Sequence, residues 1–243
     1  MGLHRPVVRV LSLGRISYTG GLQFQSECVR RHKNGLSGCV PVSETEPLDT
    51  LLLCEHSPPV YTVGMRQAAY PSSEEARLRQ LGAEFFRTDR GGLITFHGPG
   101  QLVCYPVLNL AHFQRKSIRW YIDQLERTMM ELCHRYGLET STSSDRGIWV
   151  KDNKICAVGV HCGRYITSHG LALNCNTDLR WFEHIVPCGI EGKGVTSLSK
   201  ELKRNVTVAE VTLPFLEVFE QQFMCTLTIS EMRDTSDGFA AWL

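Results

Sequence analysis

The alternation of apolar and polar residues predicts a domain in which strands and helices are interleaved. Period-two patterns and short apolar runs are typical of strands, and apolar residues at three- and four-residue steps are typical of helices. The predicted strands are residues 7–13, 51–55, 93–96, 101–108 and 169–174. The predicted helices are residues 18–31, 73–81, 117–137 and a last helix from Val206 onward.

Two local signals refine this pattern. Residues 147–151 and 154–161 are separated by Asp152-Asn153, which predicts a hairpin with a two-residue turn. In the last helix, Thr207 and Glu210 have the spacing of a capping box, and Pro214 is expected to kink the helix or to restart it.

The predicted elements define the fold class. Hairpins occur among interleaved strands and helices, which fits an α/β (α+β) single domain over residues 1–243 with a mixed or largely antiparallel β-sheet flanked by helices. The order does not fit a strict βαβ Rossmann arrangement. Residues 33–47 are rich in Gly, Ser, Pro and Glu and are predicted to form a flexible loop.

Charge and cysteine content exclude several function classes. The formal net charge of +1 gives no general attraction to nucleic acid or to a bare membrane, and no apolar stretch is long enough to span a bilayer. None of the ten cysteines has C-x-x-C spacing, which argues against a zinc knuckle. Most lie in apolar runs, so we expect free thiols in a reducing compartment.

The amino-terminal segment carries a bias toward arginine. Arg5, Arg9 and Arg15 precede the first acidic residue, Glu27, and this bias resembles a mitochondrial presequence. Residues 7–11 also alternate like a first strand, however. We therefore expect a very short or uncleaved signal, with residues 1–6 as its extent.

Residues 90–101 carry the most distinctive chemistry. Two glycines precede the predicted strand, and a His-Gly-Pro-Gly turn follows it. Glycine permits positive φ or close approach of a ligand to the backbone. Arg90 and His97 bracket this backbone, so the segment is predicted to hold a ligand, with His97 as a base or a positioning group. His161 and His169 are expected to be structural.

Two further residues are candidate catalysts. Cys188 lies between Pro187 and Gly189, where its sulfur would be accessible, as a nucleophilic thiolate requires; a small loop residue is the alternative. Lys154 opens the second hairpin strand, and alternation would put it on one apolar face with Cys156, Val158 and Val160. A lysine at the rim of such a face can have a lowered pKa. The alternative is a solvated turn lysine.

A glycine-rich stretch at residues 189–197 superficially resembles a phosphate-binding loop. A Walker A motif requires Gly-Lys followed directly by Ser or Thr, and here Gly194 follows Lys193. We therefore expect no nucleotide phosphate site in this stretch.

Several of these segments occur together, and in this order, in one family. They are residues 53–64 (Leu-Cys-Glu-His-Ser-Pro-Pro-Val-Tyr-Thr-x-Gly), 90–101 (Arg-Gly-Gly-x-x-Thr-x-His-Gly-Pro-Gly-Gln), 170–174 (Gly-Leu-Ala-Leu-Asn) and 187–190 (Pro-Cys-Gly-Ile). From about residue 7 to residue 223 the chain resembles the lipoyl(octanoyl) transferases of eukaryotic mitochondria.

The resemblance implies a fold like that of biotin and lipoate protein ligases and a specific reaction. The family transfers octanoyl from acyl carrier protein to a lysine of lipoyl domains, as in glycine cleavage H protein and 2-oxoacid dehydrogenase subunits. It needs no metal and no other cofactor. Residues 33–47 and the tail at 225–243 depart from the family's bacterial members. We expect a mitochondrial monomer that binds no nucleic acid.

The resemblance also assigns residues. Cys188 matches the acyl-accepting cysteine and Lys154 the catalytic lysine, with His97 in the acyl pocket. Small residues would leave room for an alkyl chain. The matched binding residues are Arg90, Gly91, Gly92, Leu93, Ile94, Thr95, Phe96 and His97 in the first stretch, Ala157, Val158 and Gly159 in the second, and Gly170, Leu171 and Ala172 in the third.

Three alternatives remain open at this point. An ATP-dependent ligase of the same fold would need an adenylate site and would not need Cys188. A non-catalytic scaffold would only bind lipoyl domains. A cysteine hydrolase would release free octanoate.

Overall fold

The computed structural model of the chain describes residues 5–37, 47–67, 69–143, 146–186 and 193–230. The strands are β1 (Val7–Ile16), β2 (Thr50–His56), β3 (Val60–Val63), β4 (Glu84–Arg87), β5 (Thr95–His97), β6 (Gln101–Val107), β7 (Ser141–Thr142), β8 (Gly147–Val150), β9 (Asn153–Gly163), β10 (Ile166–Asn174), β11 (Gly194–Val195) and β12 (Thr226–Ser230). The helices are α1 (Tyr18–Ser37), α2 (Ser72–Gln80), α3 (Ile118–Arg135), α4 (Leu198–Leu202) and α5 (Val208–Phe223), with 3₁₀ turns at Met65–Gln67, Leu110–His112 and Leu179–His184.

The strands form a large and a small sheet. Among the described residues, nine strands make a sheet of order β12-β1-β2-β6-β10-β9-β8-β7, with β11 added beside β9, and β4-β3-β5 make a second sheet. The pairs β1–β12, β1–β2 and β9–β11 are parallel, whereas the remaining pairs of the large sheet are antiparallel. The prediction of a mixed sheet flanked by helices is confirmed.

Both faces of the large sheet are buried at its central strands β2 and β6. Leu51 and Leu53 of β2 belong to one apolar cluster, and Leu52 and Cys54 belong to another, because successive strand residues point to opposite faces. Helices α3 and α5 cover the first face, and α1 covers the second through residues such as Phe24. A third cluster lies against the small sheet.

The predicted stripe on α3 explains how this helix packs. Tyr121, Leu125 and Met129 recur at four-residue steps and are fully buried. Ser117 caps the helix by accepting a hydrogen bond from the backbone N–H of Trp120. In the part of the chain that the structure describes, no helix is both long and apolar enough to cross a bilayer.

Helix α1 continues further than the sequence predicted. It ends at Ser37 instead of Arg31, so the loop prediction for residues 33–47 is wrong for 33–37, and residues 38–46 lie outside the described residues. His32 is buried in this extension, with Nε2 3.4 Å from the Val107 carbonyl oxygen and 3.5 Å from Asp49 Oδ1. These tertiary contacts override the weak helix propensity of the Gly- and Ser-containing sequence.

The strand predicted at residues 93–96 is shorter than expected. It begins at Thr95, because Gly92 adopts φ +95° and the Ile94 N–H donates to Gln67 Oε1 instead of to a strand. The strand belongs to the small sheet, whereas β6 belongs to the large one. The intervening Gly-Pro-Gly turn therefore carries the chain from one sheet to the other.

The β8–β9 hairpin is present, with its turn one residue earlier than predicted. The turn residues are Lys151 and Asp152, with Lys151 at φ +52°, and Asn153 pairs with Val150. A register shift between Ile148 and Trp149 breaks the alternation along β9. The prediction that Lys154 and Cys156 share a face is therefore wrong, since Cys156 lies in the main core and Lys154 lines the cavity described below.

Helix α5 begins at its predicted cap and continues through its proline. The Thr207 hydroxyl accepts a hydrogen bond from the Glu210 N–H at 3.2 Å. Pro214 has no N–H to donate to the Glu210 carbonyl, and the Tyr136 hydroxyl lies 3.5 Å from that oxygen instead. The helix runs without a restart to Phe223.

The first part of the predicted variable tail belongs to the fold. Cys225 is fully buried, and β12 extends the large sheet by pairing with β1. Residues 231–243 lie outside the described residues.

Replacing Phe219 with Ala should destabilise the core between α5 and the large sheet. Phe219 is fully buried and stacks on Phe223 with 4.1 Å between ring centroids. We expect the free energy of unfolding in urea to fall by about 3–5 kcal/mol. Leu213→Ala on the exposed side of the same helix is the control and should change it by less than about 0.5 kcal/mol. A loss from Phe219→Ala no larger than the control's would contradict this packing.

Candidate active site

A cavity of about 240 Å³ lies between the large sheet and the loop at residues 90–93. Strands β9 and β10 provide much of one wall, and α1, α3, β5 and β6 contribute side chains. Its lining residues are Tyr18, Arg66, Arg90, Gly91, Gly92, Leu93, Thr95, His97, Val103, Tyr105, Ile122, Arg146, Lys154, Ala157, Val158, Gly159, Val160, His169, Gly170, Leu171 and Ala172.

The structure brings the three predicted binding stretches together around this cavity. Each described residue predicted for the site lines it except Ile94 and Phe96. Those two side chains are buried in the apolar cluster against the small sheet, where Phe96 stacks on Trp181 at 5.4 Å. They support the loop from behind. Cys188 lies outside the described residues.

The Arg90 guanidinium holds one wall of the cavity in place. Its Nη2 donates to the Thr62 carbonyl at 2.7 Å, to the Thr62 hydroxyl at 2.8 Å and to the Leu93 carbonyl at 3.0 Å. Its Nη1 donates to the Gly91 carbonyl at 2.9 Å. The Gly91 N–H donates to the Val160 carbonyl at 2.9 Å. The loop is therefore tied to β3 on one side and to β9 on the other.

Close backbone contacts account for two of the glycines in the wall. A Cβ at Gly170 would lie 2.2 Å from the Cys104 carbonyl oxygen, and one at Gly159 would lie 3.0 Å from the Gly91 carbonyl oxygen. Both distances are shorter than ordinary carbon–oxygen contacts. These glycines therefore let strands and loop approach each other, whereas the expectation from sequence was room for an alkyl chain.

Lys154 is a buried lysine of the cavity wall. Its side chain is nearly covered, with the residue 6% exposed, so the alternative of a solvated turn lysine is wrong. The Nζ donates to the Arg146 carbonyl at 3.0 Å and lies 4.7 Å from the centroid of the Trp149 ring. Lysine is rarely buried unless its ammonium is paired. This geometry offers an amine at a fixed point of the cavity.

His97 belongs to a buried polar network. Its Nδ1 lies 2.8 Å from Gln101 Oε1, the Gln101 Nε2 donates to Asn174 Oδ1 at 2.9 Å, and the Asn174 Nδ2 donates to the Thr196 carbonyl at 2.9 Å. Burial chiefly, and then the neighbouring His56, lower the pKa of His97 to about 3. The imidazole is therefore neutral at physiological pH and shapes the cavity.

A buried hydrogen bond links the network to Lys154. The Thr196 N–H donates to the Lys154 carbonyl at 3.0 Å, and β11 pairs in parallel with Asn153 and Lys154. The strand that bears the lysine is thus fixed on both of its edges.

Several lining residues were missed or misread from the sequence. His169 was expected to be purely structural, but it lines the cavity, and its Nε2 lies 2.9 Å from Asp89 Oδ1. Burial lowers the pKa of His169, and Asp89 partly opposes this effect. The other missed residues are Tyr18, Arg66, Val103, Tyr105, Ile122, Arg146 and Val160. These residues follow the periodicity of ordinary core or surface positions. The sequence pattern therefore did not indicate that they line a cavity.

The donors needed for a metal site are not grouped in the described segments. No cluster of three or more His, Cys, Asp and Glu residues there could hold a metal ion.

The architecture has counterparts among solved structures. An archaeal lipoylation system from Thermoplasma acidophilum, with a bipartite lipoate protein ligase and its E2 lipoyl domain, contains a chain that matches with a TM-score of 0.70 at 13% identity. The match covers 95% of this chain and 89% of that one. At this identity the likeness establishes the fold, which is that of the lipoate-ligase class.

Sequence comparison narrows the class to a family. The lipoyl protein ligase A/B catalytic domain matches residues 18–220, and the chain belongs to this family. The mitochondrial octanoyl-[acyl-carrier-protein]:protein N-octanoyltransferase LIPT2 of Danio rerio is 59% identical over 94% of this chain and 97% of its own length. The protein of the same name from Homo sapiens is 52% identical over 94% of this chain and 98% of its own length. The resemblance stated from the motifs is confirmed.

The neutral buried imidazole of His97 should make stability depend on pH. An unfolded histidine takes up a proton near pH 6.5, whereas folded His97 resists protonation down to about pH 3. Its contribution is therefore complete above pH 6.5 and is lost as the pH falls. We expect His97→Gln to reduce the slope of unfolding free energy against pH by up to about 1.4 kcal/mol per pH unit between pH 6 and 4.

Urea unfolding at a series of pH values measures this slope. His134→Gln, at an exposed position of α3, is the matched control and should leave the slope unchanged. Parallel curves for wild type and His97→Gln would show that His97 is not held neutral.

Proposed function

We propose that the chain is an acyltransferase that moves an octanoyl group from acyl carrier protein to a lysine of a lipoyl domain, through a thioester on Cys188. It acts in mitochondria. The observation that carries the proposal is the cavity, in which a loop held by Arg90 and two strands with close backbone contacts enclose a mostly apolar space beside the buried amine of Lys154.

The relatives support the reaction class over nearly the whole chain. The Danio rerio and Homo sapiens proteins are named octanoyl-[acyl-carrier-protein]:protein N-octanoyltransferases, and each is matched over almost its entire length. A donor carrier protein and a protein acceptor follow from that name. We further propose lipoyl domains of glycine cleavage H protein and of 2-oxoacid dehydrogenase subunits as acceptors, and a monomeric enzyme.

The lining suits a straight acyl chain. Val158 and Leu171 bring apolar side chains to the wall, and Ala172 adds a small one. Burial of a methylene group contributes about 0.8 kcal/mol, so an eight-carbon chain would gain several kcal/mol from such a wall. Arg90 turns its guanidinium toward backbone carbonyls of the loop, which leaves it as a structural member of the wall.

Chain connectivity supports Cys188 as the partner of Lys154. After residues 187–192 the described chain resumes at Lys193, and the next two residues pair as β11 with Asn153 and Lys154. The cysteine is thus a short stretch of chain away from the strand that carries the lysine. Proline and glycine on either side of Cys188 favour a turn, which would keep the sulfur accessible.

The chemistry balances without a nucleotide. The Cys188 thiolate would attack the carbonyl carbon of the carrier thioester, and the bond from that carbon to the carrier sulfur would break. The carrier would leave as a thiolate and take up the proton that the cysteine thiol had lost. One thioester replaces another, so this step is nearly neutral in energy. The acceptor amine would then attack the enzyme thioester and expel the cysteine thiolate. The product is an amide, which is more stable than the thioester. The acceptor lysine, with a pKa of about 10.4 in water, must lose its proton, and Lys154 is the proposed general base.

Mass spectrometry can test the cysteine intermediate. Incubation with octanoyl carrier protein and no ATP should add one octanoyl group to Cys188, and hydroxylamine should remove it because thioesters are labile to this nucleophile. Cys188→Ala should abolish both the adduct and transfer to a lipoyl domain. Cys162→Ala, at a partly exposed thiol outside the cavity, is the control and should retain both. A strict ATP requirement, or release of octanoate alone, would replace the proposal with a ligase or a hydrolase.

Lys154→Gln should slow turnover by at least about 100-fold, because it removes a general base but retains a hydrogen-bond donor. Lys151→Gln, at the exposed turn of the same hairpin, is the matched control and should keep wild-type turnover. Steady-state transfer to a lipoyl domain measures both. Equal rates for the two variants would remove Lys154 from the mechanism.

A further inference from the structure

A single peptide group lies between Lys154 and a buried carboxylate of α3. The peptide joins Arg146 to Gly147. Its carbonyl oxygen accepts the hydrogen bond from Lys154 Nζ at 3.0 Å, and its N–H donates to Glu126 Oε1 at 3.0 Å. In a trans peptide the C=O and N–H point in opposite directions. Both ends of this peptide are therefore held, one by the Glu126 carboxylate and the other by the Lys154 Nζ.

The electrostatics of this arrangement are favourable at each step. The negative end of the peptide dipole faces the N–H that Lys154 Nζ donates, and its positive end faces the Glu126 carboxylate. Hydrogen bonds in such a chain polarise one another, and those to charged groups are stronger than neutral ones. Glu126 therefore favours the orientation of the peptide in which its oxygen points at Lys154.

Packing alone does not explain a glutamate at this position. Glu126 is 5% exposed and sits beside the apolar stripe that includes Leu125 and Met129. A buried carboxylate is costly unless hydrogen bonds compensate for lost water. Its second oxygen, Oε2, accepts a hydrogen bond from Arg146 Nη1 at 2.9 Å. Both oxygens are thus directed at the segment that contacts Lys154.

The lysine side chain also lies against the held backbone. Gly147 has φ +124°, and a Cβ there would be 2.6 Å from the Cys156 carbonyl oxygen and 3.3 Å from Lys154 Cε. The absence of a side chain leaves the space that the lysine methylenes occupy. A shift of the Arg146–Gly147 peptide would therefore move the Lys154 Nζ through its hydrogen bond and through this contact.

We infer that Glu126 is a positioning residue for the transfer reaction: it fixes the Arg146–Gly147 peptide, whose carbonyl sets the position of the Lys154 amine in the cavity. The inference rests on the proposed function, because it requires the catalytic role that the proposed function gives to Lys154. It adds a residue that does not line the cavity and that no motif of the sequence indicated.

Glu126→Gln tests the inference with little change of volume. The amide keeps an oxygen for Gly147 but loses the charge and the ion pair with Arg146. We expect turnover to fall by about tenfold, since sub-ångström misplacement of a catalytic group is costly, with KM for octanoyl carrier protein within about twofold of wild type. Asp123→Asn is the matched control, because Asp123 also pairs with Arg146, at 3.3 Å, yet is exposed and does not contact Gly147. It should retain wild-type turnover.

A double-mutant cycle separates positioning from a general structural role. If Glu126 acts through the lysine, Glu126→Gln should have little further effect on the residual single-turnover rate of Lys154→Gln. An equal fold-loss in both backgrounds would overturn the inference, as would wild-type turnover of Glu126→Gln or a loss matched by Asp123→Asn. If residual turnover of Lys154→Gln is too low to measure, KM and turnover of Glu126→Gln are compared instead. A raised KM with normal turnover of Glu126→Gln would overturn the inference.

The same measurements distinguish a failure of the role proposed for Lys154 from a failure of the role inferred for Glu126. Wild-type activity of Lys154→Gln would remove the proposed function of the lysine. An inactive Lys154→Gln together with a fully active Glu126→Gln would leave that function standing and would reject only the role of Glu126.

Discussion

The cavity depends on one buried guanidinium. Arg90 bonds to Thr62 of the small sheet and to carbonyls of its own loop, and the loop in turn bonds to β9 of the large sheet. A buried arginine keeps its charge, so its N–H groups favour contact with neighbouring oxygens. The carbonyls of Thr62, Gly91 and Leu93 and the Thr62 hydroxyl accept hydrogen bonds from its two terminal nitrogens. The guanidinium thereby shapes the wall of the cavity.

The site combines a rigid frame, formed by β9 and β10, with a reactive group, the Lys154 amine. Close contacts at Gly159 and Gly170, together with the network from His97 to Thr196, fix β9 and β10. The Lys154 amine is held against this frame by a carbonyl and by the face of Trp149. Acyl transfer between two large protein partners benefits from such fixed geometry, because the enzyme has only to align a thioester and an amine within a preformed space.

The sequence predicted the strands and helices better than it predicted the contacts between them. Period and capping placed α3 and the start of α5 well, since Ser117 and Thr207 act locally. The extension of α1 to Ser37 could not be foreseen, because it depends on contacts of His32 with residues distant in sequence. The motifs indicated many of the cavity residues but missed others, among them Tyr18, Ile122 and His169. They could not reveal that Arg90 bonds mainly to backbone, or that Glu126 reaches Lys154 through a peptide, since both facts arise only when separate strands and helices meet.

The placement of β12 affects how the sheet can be completed. Strand β1 lies between β2, the next strand along the chain, and β12, the last strand of the described chain. During synthesis or passage through a membrane, one edge of the first strand stays open until the last strand arrives. An unpaired edge is a site for pairing with other chains. The newly made protein can therefore pair with other chains through β1 until residues 226–230 are in place.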